Sequence, residues 1–243
     1  MKELTAKKAI VIGATSGIGR ALAINLSRQG YSVGVAGRRQ AMLETLVDEL
    51  HGASYYEVID VTDTASLLNG LGALVERLGG LDLLVISAGI GHINPNLDWD
   101  LERDTIAVNV AGFAAAANFG MRHFVKQHSG HLVGISSVAA IRGGGATPAY
   151  NASKAFASNY LEGLRQNAAH KKMPITITDV KPGFVNTSMA KGNGLFWVAS
   201  ADKAADQICR AIRFRKSHVY VTRRWRLVGW LLKSLPGGIY ARI

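Results

Sequence analysis

The sequence of 243 residues has little of what marks several protein classes. Its single cysteine, Cys209, excludes a disulfide within the chain and fits a reducing compartment. No metal-ligand spacing surrounds Cys209, so we expect a small buried hydrophobe there and no metal site. The first residues lack the apolar region of a signal peptide, and no run approaches the roughly eighteen apolar residues of a membrane-spanning helix. These absences predict a cytoplasmic protein.

Acidic residues are also few. Lys and Arg number 28 against 17 Asp and Glu, giving a formal net charge of +11. Such a charge is compatible with nucleic acid, anionic lipid or a phosphorylated ligand as partner. Towards the C-terminus the basic residues cluster, at Arg210, Arg213, Arg215, Lys216, Arg223, Arg224, Arg226, Lys233 and Arg242. No module typical of nucleic-acid-binding folds surrounds them, so no nucleic acid is expected as a partner.

What the sequence does contain is a repeated alternation of short apolar runs with segments long enough for helices. The apolar runs occupy residues 9–12, 31–36, 55–59, 81–86, 131–135, 175–180 and 218–221. Such runs, separated by helices, indicate parallel strands buried on both faces. We expect an α/β fold: a single-domain, Rossmann-type, doubly wound parallel sheet of about seven strands with helices on both faces. This domain covers residues 1–221, and a basic, tryptophan-containing tail covers residues 222–243.

A glycine-rich turn follows the first predicted strand and opens directly into a helix. It reads Gly13-Ala-Thr-Ser-Gly17-Ile-Gly19. Glycines permit a tight turn and let a pyrophosphate approach the backbone, while the helix N-terminus supplies free N–H groups. A purely structural loop is the alternative, but the position between first strand and first helix favours a dinucleotide site.

The end of the second predicted strand bears on the choice of cofactor. An NAD site needs a carboxylate near this point, whereas NADP needs a cation for its 2′-phosphate. No Asp or Glu lies between Gly30 and Glu44, and Arg38 and Arg39 stand at the strand end. The sequence therefore predicts NADP(H) rather than NAD(H); a solvated pair of arginines is the alternative.

Tyr150 and Lys154 lie four residues apart and share one face of a predicted helix. A free tyrosine has a pKa of about 10, and a nearby ammonium group favours the phenolate and lowers that pKa. Tyr150 can then act as an acid or base towards a carbonyl or alcohol oxygen. A tyrosine and a lysine at this spacing occur in many helices by chance. Ser137 strengthens the prediction, because it follows the fifth predicted strand, thirteen residues before Tyr150, and its hydroxyl could hydrogen-bond the substrate oxygen.

Together, the Gly-x-x-x-Gly-x-Gly turn, Ser137 and Tyr150-x-x-x-Lys154 resemble the short-chain dehydrogenase/reductase family over residues 7–221. The resemblance implies an NADP(H)-dependent enzyme that interconverts a carbonyl and an alcohol. It implies a catalytic set of Asn109, Ser137, Tyr150 and Lys154. It further implies cofactor contacts, beyond Tyr150 and Lys154, at Gly13, Thr15, Ser16, Gly17, Ile18, Gly19, Arg38, Arg39, Asp60, Val61, Ser87, Ala88, Gly89, Pro182, Gly183, Val185 and Thr187.

Two positions depart from the family pattern. Ile12 stands where threonine is usual, and Ser87-Ala88-Gly89 replaces Asn-Ala-Gly. Both lie at the ends of strands expected to be neighbours, so we expect a different polar contact there. The departures bear on local stability more than on cofactor binding.

Residues 189–200 occupy the position of the family's variable substrate lid. Leu195, Phe196 and Trp197 are expected to contact substrate, with Gly91, His92, Ile93, Gly143 and Gly144 on the opposite wall. These residues predict an apolar or aromatic small-molecule carbonyl or alcohol as the substrate. A binding protein that senses NADP(H) without catalysis is the alternative function, but it would not need Ser137, Tyr150 and Lys154 together.

The tail has two open interpretations. If it is helical, Trp225, Val228, Leu231, Leu232 and Leu235 form an apolar stripe flanked by basic residues, which suits an interfacial membrane helix. The alternative is packing against another subunit or over the active site. A scaffold at the membrane surface with vestigial cofactor binding is a third possible function. Small residues in segments 109–124 and 150–164 resemble family interfaces and imply a homodimer or homotetramer.

Overall fold

The computed structural model describes residues 6–187 and 196–240. In these ranges a single parallel sheet has the strand order β3-β2-β1-β4-β5-β6-β7. The strands are β1 (Lys8–Ile12), β2 (Ser32–Gly37), β3 (Ser54–Val58), β4 (Leu83–Ile86), β5 (Gly130–Ile135), β6 (Ile175–Pro182) and β7 (His218–Val221). The predicted fold class is confirmed, and each predicted strand overlaps an observed one.

Helices cover both faces of the sheet. They are α1 (Gly17–Arg28), α2 (Gln40–Glu49), α3 (Thr64–Leu78), α4 (Trp99–Ile106), α5 (Phe113–Lys126), α6 (Pro148–His170), α7 (Ala201–Arg213), α8 (Trp225–Ser234) and α9 (Gly237–Tyr240). Residues of α1, α2 and α7 pack in one core layer, and residues of α3, α5 and α6 in the other. Because the central strands are apolar on both sides, the polar residues that follow them collect at the carboxyl edge.

A π-helical segment, Ala107–Gly112, joins α4 to α5. The sequence predicts an ordinary helix here, and Asn109 would be a poor residue in its interior. The wider π turn is a recurrent feature of functional sites, because it displaces side chains from their regular positions. Asn109 is thereby buried and directed at the loop after β4.

The tail folds back on the domain, which corrects the predicted apolar stripe. Trp225 is buried, and Val228, Leu232 and Leu235 are half-buried, so most of the stripe faces the protein. The Arg142 guanidinium fixes this orientation by donating to the Leu235 carbonyl (3.1 Å). Leu231 of the predicted stripe is instead exposed, together with Leu227 and Trp230. Within the described residues, no helix is both long enough and apolar enough to cross a membrane.

Candidate active site

A cleft of about 860 Å³ runs along the carboxyl edge of the sheet. Most of the residues proposed from the sequence line it: Gly13, Thr15, Ser16, Gly17, Ile18, Arg38, Arg39, Asp60, Val61, Ser87, Ala88, Gly89, Gly91, His92, Ser137, Tyr150, Lys154, Pro182, Gly183, Val185 and Thr187. Gly19 and Asn109 lie behind this lining and support it. The predicted residues that the cleft brings together are thus up to 174 positions apart in sequence, from Gly13 to Thr187.

The glycine-rich turn is shaped by close contacts that exclude side chains. Gly13 has a φ of +83°, and a Cβ there would lie 2.5 Å from the Ala88 nitrogen. A Cβ on Gly19 would lie 2.2 Å from the Gly13 carbonyl oxygen. The turn thus presses against the loop after β4 and leaves the N-terminus of α1 facing the cleft, an arrangement that fits the phosphates of a dinucleotide.

The two arginines after β2 have different surroundings. Arg39 reaches back over the glycine-rich turn and donates to the hydroxyls of Thr15 (3.1 Å from Nε) and Ser16 (2.8 Å). Arg38 is exposed, with its guanidinium 4.0 Å from the Asp60 carboxylate. That carboxylate also accepts from the Thr62 backbone (2.9 Å). Two cations therefore lie near the glycine-rich turn, and Arg39 is already held against it.

Ser137, Tyr150 and Lys154 meet in the middle of the cleft. The Lys154 ammonium donates to the Ile135 carbonyl (3.1 Å) and lies 5.8 Å from the centre of the Tyr150 ring. Burial lowers the pKa of Lys154 to about 8, although the Asp179 charge acts in the opposite direction. Burial also raises the pKa of Tyr150, and a hydrogen bond with Ser137 partly offsets that rise. A Cβ on Gly91 would lie 2.7 Å from the Tyr150 ring, so this glycine makes room for the phenol.

Asn109 holds the loop after β4 through its side chain. Its amide oxygen accepts from the Ile90 nitrogen (2.9 Å), and its amide nitrogen donates to the Ile90 oxygen (2.7 Å) and to the Ser153 hydroxyl (3.0 Å). Ser153 lies next to Lys154 on α6. Asn109 therefore connects the π-helical segment, the loop that carries Gly91, and the helix that carries Tyr150.

The two departures from the family pattern do lie side by side, since β1 pairs with β4. The Ser87 nitrogen donates to the Ile12 carbonyl (2.9 Å), so the contact between the strand ends is made by the backbone. A Cβ on Gly19 would lie 3.2 Å from the Ser87 hydroxyl oxygen, so this side chain is directed at the glycine-rich turn.

A buried charged cluster lies directly behind the cleft, and no pattern in the sequence predicts it. Asp179 on β6 is fully buried and accepts hydrogen bonds from the hydroxyls of Ser136 and Ser158 (2.7 Å from the latter). The Lys181 ammonium pairs with the same carboxylate. Burial by itself would raise the pKa of Asp179, but the His218 and Lys181 contacts lower it well below its usual range. A stable negative charge therefore lies behind Ser137 and Lys154.

The substrate side differs from the sequence prediction. Leu195 and the adjacent part of the predicted lid lie outside the described residues. Phe196 and Trp197 pack against Phe184 and Trp225 and are not in the cleft wall. Gly143 and Gly144 are also outside the wall, because Tyr240 donates to the Gly143 carbonyl (2.5 Å) and covers that loop.

Residues that the sequence prediction missed replace them. Trp225, Leu232 and Tyr240 of the tail line the cleft together with Arg142, Thr147 and Phe184. Trp225 lies so close to Gly183 that a Cβ on that glycine would be 1.9 Å from the indole. A tryptophan in the tail indicates that this part of the tail is buried against another segment. The segment it contacts, at Gly183, lies 42 positions earlier in the sequence. Of the alternatives for the tail, the structure shows packing over the cleft.

A doubly wound parallel sheet with a glycine-lined cleft at its carboxyl edge defines a Rossmann-type nucleotide-binding protein. Within that class, the chain belongs to the short chain dehydrogenase family, whose model matches residues 7–195. The chain is an oxidoreductase of this family. The resemblance noted in the sequence is thereby confirmed.

Known relatives and solved structures agree with this assignment. An uncharacterized oxidoreductase of Myxococcus xanthus is 39% identical over 198 residues, covering 79% of this chain and 78% of the relative. One from Staphylococcus epidermidis is 31% identical, covering 91% of this chain and 96% of the relative. A short chain dehydrogenase/reductase from Burkholderia phymatum, in complex with NAD, has a TM-score of 0.84 at 22% identity, covering 95% of this chain and 94% of the other.

An archaeal alcohol dehydrogenase, from Thermococcus sibiricus complexed with 5-hydroxy-NADP, has a TM-score of 0.80 at 21% identity, covering 88% of this chain and 95% of the other. At this level of identity the two structures show a shared fold. One was solved with NAD and the other with an NADP derivative. The cofactor preference of this chain must therefore be inferred from its own residues.

Proposed function

We propose that the protein is an NADP(H)-dependent oxidoreductase that interconverts a carbonyl and an alcohol, with Tyr150 as general acid and base. The observation that carries the proposal is the convergence of Ser137, Tyr150 and Lys154 on one cleft that the glycine-rich turn also lines. A protein that only sensed the nucleotide would have no need of the three together.

Each side chain has a separate task in this proposal. When bound, the nicotinamide supplies or accepts the hydride. Tyr150 gives its proton to the carbonyl oxygen during reduction and takes one from the alcohol during oxidation. Ser137 donates a hydrogen bond to the same oxygen and orients it. In this proposal the charge on Lys154 acts against the burial that raises the pKa of Tyr150, and so favours its phenolate. Asn109 keeps the facing loop in place.

The preference for NADP(H) rests on Arg38 and Arg39. Both line the cleft beside the glycine-rich turn, and a guanidinium group forms charge-assisted hydrogen bonds with phosphate oxygens. The Asp60 carboxylate is shared between Thr62 and Arg38, so it does not offer an unopposed acceptor to a ribose hydroxyl. We therefore place the 2′-phosphate of NADP between the two arginines.

The substrate is proposed to be a small-molecule carbonyl or alcohol with an apolar or aromatic body. The wall nearest Gly183 is built by Phe184 and Trp225, whose ring centres are 5.3 Å apart. Apolar rings of this kind bind flat or aliphatic surfaces and leave the single reacting oxygen to Ser137 and Tyr150. His92, on the opposite wall, is available to orient a polar substituent.

The wider setting is also part of the proposal. The enzyme works in the cytoplasm as a homodimer or homotetramer, with residues 1–221 as the catalytic domain and residues 222–243 as a tail that also contacts membrane. A surface groove of about 610 Å³ between α5 and α6, lined by Met121, Val125, Tyr160 and Leu164 among others, supports oligomerisation through these helices.

The test is NADPH oxidation against a panel of apolar, acyl, steroid-like and sugar carbonyls, repeated with NADH. Tyr150→Phe should lower kcat at least about a hundredfold for every active substrate, because it removes the proton donor. Tyr55→Phe, on β3 and outside the cleft, is the matched control and should leave kcat unchanged. If Tyr150→Phe keeps wild-type kcat, or NADH is the better cofactor, the corresponding part of the proposal is wrong.

A further inference from the structure

The outer face of α8 is apolar although nothing in the described residues covers it. Leu227, Trp230 and Leu231 have exposed fractions of 69%, 71% and 52%. Residues three and four apart lie on one face of a helix, so these side chains form one stripe. An exposed indole between two leucines is costly in water and marks a surface that meets an apolar phase or partner.

The same stretch of chain carries charge of one sign only. After Asp206 the sequence contains no Asp or Glu, but nine Lys and Arg residues. Arg223, Arg224, Arg226 and Lys233 on or beside α8 are all exposed. Among residues 6–187 and 196–240, none of these four is in an ion pair. The apolar stripe is therefore bordered by cations that are available to anions outside the protein.

A second group of exposed apolar residues lies at the start of α8, next to the cleft. The Arg224 guanidinium lies 5.9 Å from the Trp197 ring centre, and Phe196 stacks on Trp225 with ring centres 5.1 Å apart. Phe196 and Trp197 are themselves 48% and 45% exposed. Because Trp225 is the first residue of α8 and lines the cleft, this exposed aromatic pair lies between the start of α8 and the cavity.

We propose that Phe196, Trp197, Leu227, Trp230 and Leu231 form a docking surface for an anionic phospholipid bilayer. Tryptophan favours the boundary between headgroups and acyl chains, and arginine reaches headgroup phosphates while its stem stays in the apolar layer. A second copy of the chain fits less well, since a symmetric contact through this surface would bring the same set of cations face to face.

The docking surface also defines the class of substrate, an inference that rests on the proposed oxidoreductase function. A cleft whose aromatic wall meets the bilayer receives lipid-soluble molecules without their passage through water. We assign the enzyme a carbonyl or alcohol compound that partitions into membranes, such as a long-chain aldehyde or ketone.

Binding is tested on the full-length protein by co-sedimentation with phosphatidylcholine vesicles, with or without about one third phosphatidylglycerol, a typical anionic lipid. Wild type should bind the anionic vesicles at least about tenfold more tightly than the neutral ones. Leu227→Ser/Trp230→Ser and Arg223→Ser/Arg226→Ser should each weaken binding at least about tenfold. Binding to anionic vesicles that is no tighter than to neutral ones overturns the proposal.

Matched controls come from the opposite edge of the sheet. Phe214 is 62% exposed between basic residues just before β7, whereas α8 follows β7. Phe214→Ser and Arg213→Ser/Lys216→Ser should therefore keep wild-type vesicle binding. Equal losses in these controls would show nonspecific charge attraction and overturn the assigned surface.

A second copy of the chain is the competing occupant of the docking surface, and gel filtration without lipid detects such self-association. A change of oligomeric state in Leu227→Ser/Trp230→Ser, with vesicle binding unchanged, overturns the proposal in favour of a second copy. Because sedimentation needs no turnover, its result stands whether or not the protein reduces carbonyls. If vesicles are bound but long-chain carbonyls are not reduced, the docking surface is supported and the substrate assignment is wrong.

Discussion

The Nε2 atom of His131 lies 2.8 Å from the Thr178 hydroxyl, buried between β5 and β6. The Thr178 hydroxyl gives its only proton to the Lys216 carbonyl (2.5 Å), so the imidazole must be the donor in this pair. Burial, with a smaller contribution from the Arg215 charge, lowers the pKa of His131 to about 4. His131 is therefore neutral in the folded protein at every pH above that value.

This neutral histidine should make stability depend on pH. In the unfolded chain its pKa is about 6.5, so between pH 6.5 and 4 the unfolded state binds the extra proton. The free energy of unfolding should fall over that range by about 2–4 kcal/mol. Urea titrations should show the fall in wild type and in His51→Gln, an exposed control. A His131→Gln variant with an undiminished fall would disprove the assignment.

Arg39 is expected to select NADP(H) through its own charge. Removing the guanidinium takes away charge-assisted hydrogen bonds to the 2′-phosphate, each typically about 1.5–3 kcal/mol. Arg39→Ala should therefore raise KM for NADPH about 10–100-fold and leave KM for NADH within about threefold. The measurement is steady-state kinetics with both cofactors, and Arg28→Ala, at the exposed end of α1, is the control. An equal rise for both cofactors would mean that Arg39 only supports Thr15 and Ser16.

Asp179 is expected to act on catalysis through Lys154. Its buried charge raises the pKa of Lys154, which burial otherwise lowers. The double variant Asp179→Asn/Lys181→Met removes the buried pair together and avoids stranding the Lys181 charge. Lys154 should then lose its proton at lower pH, and the alkaline limb of the kcat profile should move to lower pH.

The Asp179 prediction is checked by a pH profile of kcat together with circular dichroism. Ser158→Ala, which removes one hydrogen bond to Asp179 but keeps its charge, should leave the profile in place. A uniform loss of kcat at every pH, with no movement of the limb, would assign Asp179 a purely structural role.

The fold and most of the proposed cofactor site could be predicted because their signals are local. Buried parallel strands are short apolar runs, and the residues that follow them fall at one edge of the sheet whatever the strand order. The spacing of Gly13, Gly17 and Gly19 by itself predicts a tight turn with no room for side chains. None of these inferences requires knowledge of contacts between distant segments.

The tail and the charged cluster could not be predicted, because distant contacts decide them. Helix α8 has apolar residues on two faces, so periodicity alone does not say which face is inward. The Arg142 hydrogen bonds to its C-terminal carbonyls settle the question, and Arg142 is 90 positions before Leu232. Asp179 likewise appears in the sequence as a single acid in an apolar strand. Its partners are Ser136, directly after β5, and Ser158 on α6, and only the folded sheet brings them together.

The contact between Gly183 and Trp225 predicts a rescue. In wild type, a methyl group at position 183 would lie 1.9 Å from the indole, so Gly183→Ala must displace Trp225. Trp225→Ala alone leaves a cavity and should cost about 3–5 kcal/mol of unfolding free energy. In the Trp225→Ala background the same methyl group has space, so adding Gly183→Ala should cost at least about 1 kcal/mol less than in wild type. Urea denaturation of the four proteins measures this coupling, and KM for an apolar substrate should follow the same pattern. Strictly additive costs would show that the tail does not pack on Gly183 in solution.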